Sequence, residues 1–478
     1  MIYVNGLNGA GGGYLLPPLT PAVVSALARG EQLDAEERRE LAARYQATAE
    51  SHLGIVDADP TDLGQAGWGV VFAEGADPAV REALGPLLEH RRRQAAAEQE
   101  RRYRDFGGTD GYRPGESVAE FLVRHRVTPG QPANPDRMPY YLLLVGDPNA
   151  IPFRFQYMLD VVYAVGRLDF DRPEEYESYA HSVVANERRA GRSRAAFFGV
   201  RNPDDRATRL SADHLVVPLA ADAAGRLPPG SVQTTLGEQA TKARLHGILG
   251  GADTPDLIFV AAHGMGFPNG HPRQLPHQGA LLCQDWPGPL RWRGPIPETF
   301  YFAAHDLGGE VRLSGLIAFL FACFGAGTPR TDDFAQQALG GPAAIAPHAF
   351  VGRLPKRLLG HPCGGALAVI GHVERAWGFS FMWPGVGEQV DAYREVVRRL
   401  LAGAPVGWAV EALNERFAAL SVQLEMEKED VAYGKVPDEL MLSSLWTARN
   451  DARNSIVLGD PAARFRLPAE CTRSGASI

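Results

Sequence analysis

DLIFVAAHGMG, residues 256–266, and LIAFLFACFGAG, residues 316–327, are the stretches that decide the fold. Each is a run of Ile, Leu, Val, Phe and Ala that stops at glycine. An apolar run without polar alternation is how a strand buried on both faces of a parallel sheet reads. Such sheets bind ligands beyond the carboxyl ends of their strands. His263 closes the first run and Cys323 the second, 60 residues apart in the chain. Brought together at one sheet edge, they have the chemistry of a base and a nucleophile.

Working outward, further runs of the same kind lie at 67–72, 140–153, 160–168, 195–200 and 364–373, with a final strand pair over 454–467. Helical patterns separate them: 22–53, 77–104 (opened by Asp77-Pro78), 117–126, 173–189, 239–249, 332–339 and 389–427. Strands alternating with helices predict an α/β fold, a doubly wound, mainly parallel sheet with helices on both faces. Residues 1–20 are Gly- and Pro-rich and read as irregular. The segment 267–313 is long, Pro- and Gly-rich and weakly patterned; loops of that length are usually functional or mobile. The run RRRQAAAEQERRYR, residues 91–104, reads as a solvated basic helix surface, with a protease-sensitive segment as the sharper alternative.

The composition bounds the function. The 478 residues fit one large α/β unit with additions, or two domains. The division expected is an extension over 1–66 packing on the core, a main domain over 67–470 with sub-domains 67–190 and 191–470, and a tail over 471–478. Net charge is −8, which argues against nucleic acid as a partner. No stretch approaches a membrane span and no secretory signal is read at Met1, so a cytoplasmic protein is expected. Cys283, Cys323, Cys363 and Cys471 form no CxxC pair, so neither a disulfide framework nor a zinc ribbon is implied. His271 and His277 do not space with His263 as metal ligands do; they read as surface histidines, and no metal or cofactor is expected.

A lone His after a strand is more often structural, and a buried Cys is usually inert. The pair together, each followed closely by glycine, is a stronger signal. Gly264 leaves backbone N–H groups free to hold an oxyanion. Cys323 is then the nucleophile and His263 the group that protonates the leaving amine.

The two motifs resemble those of the caspase-like cysteine peptidases, and within them the gingipain-type (peptidase C25-like) family. The resemblance extends, with interruptions, over about residues 68–467. VGDPNAIP (145–152), VGRLDFDRPEEYESYAHSVVANER (165–188), AAHGMG, FLFACFGAG, GALAVIGHVERAWGF (365–379) and the LGDP near 458 carry it. It implies a caspase-hemoglobinase-like fold and a cysteine endopeptidase that cleaves proteins after Arg or Lys by a Cys-His dyad. It places the substrate guanidinium on Asp213, within LSADHL, with Trp377 packing on the arginine stem. Asp213 read without the resemblance is a helix N-cap, and Asp169 and Asp171 are rival carboxylates. The family's His-orienting Glu has no counterpart in Arg201-Asn202-Pro203-Asp204-Asp205, where Asn202 or Asp204 takes that role. Family analogy further implies zymogen activation or an upstream activating protease in a bacterial stress or antiviral defence pathway, with self-cleavage at Arg101, Arg102, Arg291 or Arg293. A catalytically silent scaffold binding partner proteins is the alternative, and a thiol-dependent acyltransferase a third.

Overall fold

The computed structural model describes residues 1–16, 18–30, 55–188, 194–250, 254–332 and 343–465. In chain order the strands are β1 (Gly6–Asn8), β2 (Trp68–Phe72), β3 (Tyr103–Phe106), β4 (Tyr141–Val145), β5 (Ala164–Leu168) and β6 (Ala195–Gly199). There follow β7 (Val232–Leu236), β8 (Leu257–Ala261), β9 (His263–Gly266), β10 (Leu281–Leu282), β11 (Tyr301–Phe302) and β12 (Ile317–Phe321). The last six are β13 (Gly327–Thr328), β14 (Phe350–Val351), β15 (Ala368–His372), β16 (Met382–Trp383), β17 (Gly387–Glu388) and β18 (Ser455–Gly459).

Ten of these strands form one sheet in the order β3-β2-β4-β5-β18-β15-β12-β8-β6-β7. Every neighbouring pair is parallel except β15–β18, which is antiparallel. The sheet therefore has two five-stranded halves that run in opposite directions. Their carboxyl ends lie on opposite edges. All residues of β2, β4, β5, β6, β8, β12, β15 and β18 are buried. Because successive side chains of a strand point to opposite faces, both faces must be covered. The mainly parallel α/β fold expected from the uninterrupted apolar runs is the one the chain adopts.

The register at the centre places the candidate pair. Ala261 at the end of β8 lies opposite Phe321 at the end of β12. His263 and Cys323 each follow by two residues, so they leave the same sheet edge side by side. Beyond Ala261 the chain changes sheet. β9 joins a second, four-stranded sheet, β1-β9-β10-β11, which closes over that edge. Much of the 267–313 segment is thus ordered around its own apolar cluster, in which Leu7 packs with Met265, Trp286 and Tyr301.

Other expectations change for physical reasons. The helix expected over 77–104 stops at Ala95, and Tyr103–Phe106 becomes the edge strand β3. Arg91 is not part of a solvated patch. It is 1% exposed, with Nε donating to Asp460 Oδ2 at 2.6 Å and Nη2 to Glu187 Oε1 at 2.5 Å. Burying a guanidinium is tolerable only when its donors are paired. Residues 1–20, read as irregular, contain β1 and insert Ile2, Val4 and Leu7 into apolar clusters. The 454–467 pair is the single strand β18 within the described residues. Most of the helices expected over 22–53 and 332–339, and the tail 471–478, lie outside the described residues.

Asp460 ties the last strand to the first half of the sheet. Besides Arg91, it accepts from Trp68 Nε1 at 2.9 Å and is fully buried. Asp460→Ala leaves Arg91 with one of its two carboxylates. The expected cost is about 3–5 kcal/mol, the usual penalty for breaking a buried ion pair. Urea unfolding of the wild type and the variant measures it; a difference below about 1 kcal/mol contradicts this account of the tie.

Candidate active site

The close approach of the two central strands sets the geometry. A Cβ added at Gly264 would lie 1.7 Å from the Cys323 carbonyl oxygen, so only glycine fits there. Phe324 adopts φ 59°, a rare conformation for a bulky residue. It turns the chain directly after Cys323, and its N–H donates to the Glu374 carbonyl at 2.6 Å. Non-glycine residues in this region cluster at functional sites.

His263 is 1% exposed. Its Nε2 lies 2.6 Å from Asp205 Oδ2, and its Nδ1 has no hydrogen-bond partner among the described residues. Asp205 is fully buried and satisfied from several sides. Thr208 Oγ1 donates to it at 2.7 Å, the Ala207 N–H at 3.2 Å, and the Tyr14 hydroxyl donates to Oδ1. Burial pushes the Asp205 carboxyl up, but His263 and these donors outweigh it and hold the pKa at about 2. Tyr14 and Trp286 stand edge-on to the imidazole, with ring centroids 5.6 and 6.1 Å away.

The carboxylate on His263 is therefore Asp205, a residue the sequence reading passed over in favour of its neighbours. Asn202 turns away and donates from Nδ2 to the Trp286 carbonyl at 2.7 Å. Asp204 Oδ2 accepts the Leu290 N–H at 3.1 Å and so holds the overlying segment. Asp205 also caps the helix Arg206–Ser211. A cap at the start of that helix does not by itself point to His263, so no local signal marks the second role.

Cys323 is fully buried, and burial raises its thiol to about 12. The Ala376 N–H donates to Sγ at 3.3 Å. The N-terminal segment lies across the same point. The Asn5 carbonyl accepts from the Gly264 N–H at 3.0 Å and from the Cys323 N–H at 3.2 Å. The Asn5 N–H donates to the Ala376 carbonyl at 3.0 Å, and Val4 bridges Trp377 antiparallel. Beyond Asn5, β1 runs parallel to β9 with Gly6 opposite Gly264. Two backbone donors from different strands thus converge on one carbonyl oxygen beside a thiol. That is the arrangement an oxyanion requires.

Asp213 sits in a π-helical turn, Ala212–Val216, and is not a cap. Arg201 donates to its two oxygens at 2.7 and 3.2 Å. Trp377 is buried, its ring 6.3 Å from that of Trp446. Asp169 and Asp171 follow β5, whose carboxyl end lies on the opposite edge of the sheet from Cys323. Asp169 pairs with Lys356, and Asp171 with Lys356 and Arg353. His277 is nearly buried rather than a surface residue. With Glu298 and His305 it brings ligand atoms within 4.8 Å of one another, the one group among the described residues able to hold a metal ion. His271 lies apart from it, stacked on Phe267.

No protein-family model matches the chain, and no curated protein matches it. The solved structures similar to it include the following three. One is a protease ("Structure of Protease"), at 13% identity and TM-score 0.47, over 84% of this chain and 79% of that one. The complex of Porphyromonas gingivalis RgpB pro- and mature domains is similar at 11% identity and TM-score 0.43, over 84% and 80%. The Saccharomyces cerevisiae separase–securin complex is similar at 12% identity and TM-score 0.33, over 67% of this chain and 15% of that one. No helix among the described residues is long and apolar enough to cross a membrane.

Asp205→Asn separates the two roles of this residue. Asparagine caps a helix as well as aspartate, so the fold is kept. The imidazole loses its anion, and any thiol-dependent hydrolysis by the chain is expected to fall by about 10²–10⁴-fold, as when a buried orienting carboxylate is replaced. The folded carboxylate is held below its ordinary value, so its contribution to stability is full above about pH 4 and lost as pH falls toward about 2. The gap in melting temperature between wild type and Asp205→Asn should therefore narrow from about pH 6 to about pH 2.5. A gap that does not depend on pH contradicts a carboxylate held charged at Asp205.

Proposed function

We propose that the chain is a cysteine endopeptidase that uses Cys323 as nucleophile and His263 as proton carrier. The observation that carries this reading is the single carbonyl, that of Asn5, held by the N–H groups of Gly264 and Cys323. In the ground state the thiol is protonated, since burial opposes thiolate formation. The imidazole takes that proton as sulfur attacks the carbonyl carbon. Charge developing on the oxygen is met by the two backbone donors, which need no reorganisation. His263 then returns the proton to the leaving amine, and water hydrolyses the thioester. Asp205 keeps the imidazole in one tautomer and orientation and stabilises it when charged. No cofactor enters these steps.

Selectivity for Arg or Lys belongs to the same reading through Asp213. Its carboxylate already holds a guanidinium in the fork geometry such a pocket needs, that of Arg201. A substrate arginine at Asp213 has to displace it. Trp377 lies along the path by its backbone bridge to Val4, so it contributes an edge for the substrate main chain and its indole stays against Trp446. The complete burial of Cys323 favours one second reading, a silent scaffold whose thiol never meets a partner.

Fluorogenic peptides ending in Arg, Lys, Asp or Leu separate these readings. Arg-selective hydrolysis abolished by Cys323→Ala and reduced at least about tenfold by Asp213→Ala is the expected result. A tenfold loss corresponds to about 1.4 kcal/mol of transition-state binding. Hydrolysis that is lost with Cys323→Ala but indifferent to Asp213→Ala keeps the peptidase and removes the arginine pocket. No hydrolysis, with no labelling of Cys323 by thiol-reactive peptide probes after limited proteolysis, supports the scaffold.

A further inference from the structure

Residues 1–8 enter the site in the manner of a bound polypeptide. The carbonyl of Asn5 sits between the two donors, and its N–H pairs with the Ala376 carbonyl. Val4 continues this pairing on Trp377, while Gly6–Asn8 pair with β9 on the other side of the thiol. The chain therefore crosses Cys323 with backbone contacts on both sides of one peptide bond, Asn5–Gly6.

Two observations make that bond unusual. A Cβ added at Gly6 would lie 2.7 Å from both Cys323 Cβ and Sγ, so the residue after the held carbonyl has to be glycine. Asn5 is fully buried, and neither Nδ2 nor Oδ1 has a hydrogen-bond partner among the described residues. An unpartnered buried amide costs stability. An apolar side chain would pack there without that cost, so the demands of the fold do not account for asparagine.

We propose that Asn5–Gly6 is the chain's own substrate, cut in cis by Cys323; this rests on the Cys323–His263 chemistry of the peptidase reading above and not on its arginine selectivity, since the tether and not a side-chain pocket holds Asn5 in place. Sulfur bonds to the Asn5 carbonyl carbon as the thiol proton passes to His263. The carbon–nitrogen bond to Gly6 breaks as His263 protonates the Gly6 nitrogen. One water then adds to the thioester, regenerates the Cys323 thiol and leaves an Asn5 carboxylate. Atoms balance with one water consumed and no oxidant or co-reactant. Release of residues 1–5 frees the backbone edge at Ala376–Trp377, where the main chain of a second polypeptide can pair. Cutting in cis then precedes cutting in trans, and peptide hydrolysis begins after a lag.

The test follows the purified full chain by intact mass and N-terminal sequencing over hours in reducing buffer. The expected result is a new N-terminus at Gly6 in the wild type and no cut in Cys323→Ala. The fraction cut per unit time should stay constant across about a 100-fold range of protein concentration, as an intramolecular step requires. Gly6→Val, which cannot sit against the thiol, should remain uncut there and hydrolyse peptides without the lag. Three results would overturn the proposal. One is an intact Asn5–Gly6 bond in protein that hydrolyses peptides or is labelled at Cys323, which leaves the peptidase reading standing. Another is equal cutting in Cys323→Ala, which assigns the break to Asn–Gly chemistry alone. The third is a rate that rises in proportion to concentration. Absence of cutting, hydrolysis and labelling together sinks both readings.

Discussion

The contact between Gly264 and the Cys323 carbonyl is the constraint on which the rest depends. At this point two strand ends meet with no room for a side chain between them. That proximity follows from the parallel register of β8 and β12, which brings Ala261 level with Phe321. Once the backbones are that close, the N–H groups of residues 264 and 323 point at a common spot. A cavity that binds a carbonyl oxygen is thus made by main chain alone. The left-handed turn at Phe324 and the switch of β9 into the second sheet are consequences of carrying two chains away from one crowded edge.

Electrostatics complete the site at a cost set by burial. His263, Cys323 and Asp205 are all essentially removed from solvent. A buried thiol resists ionisation, and a buried carboxylate needs partners. Asp205 has four: an imidazole, two hydroxyls and an N–H. One of those hydroxyls is from Tyr14, so the N-terminal segment supplies a partner to the anion as well as a carbonyl to the two donors. The same segment therefore contributes to the electrostatics of the site while it fills the site.

Much of this was legible in the sequence because it is encoded in continuous patterns. The apolar runs at 256–261 and 316–321 declared buried parallel strands, and Gly264 after His263 marked a place where backbone comes close. What escaped depended on contacts between distant segments. Asp205 caps the helix Arg206–Ser211 in the structure, and nothing local in the sequence says that His263 will meet its other oxygen. Arg91 reads as solvated because Asp460, its carboxylate, lies 369 residues away. In residues 1–8 the apolar run stops at Asn5-Gly6, and β1, Gly6–Asn8, exists only because β9 offers it an edge. Asp213 was readable as an anion for arginine, but its pairing with Arg201 requires the turn that follows β6.

The N-terminal segment also explains why the site can be so dry. A catalytic cleft open to water loses the advantage of fixed dipoles, whereas one filled by protein keeps it. Here the filling is covalently attached, so its local concentration is high and no free ligand is needed to hold the donors satisfied. The drawback is that a tethered occupant excludes every other one. A segment that only stabilised the site would be served best by an apolar residue at position 5, whereas glycine at position 6 is demanded in either case by the closeness of Leu15 and Cys323. The chain instead sets an unpartnered amide before the carbonyl and the smallest possible residue after it, with sulfur alongside. Stability argues against the first choice, and the second, required by packing, also leaves the thiol beside the bond. The unpartnered amide is better explained by chemistry at that bond than by packing around it.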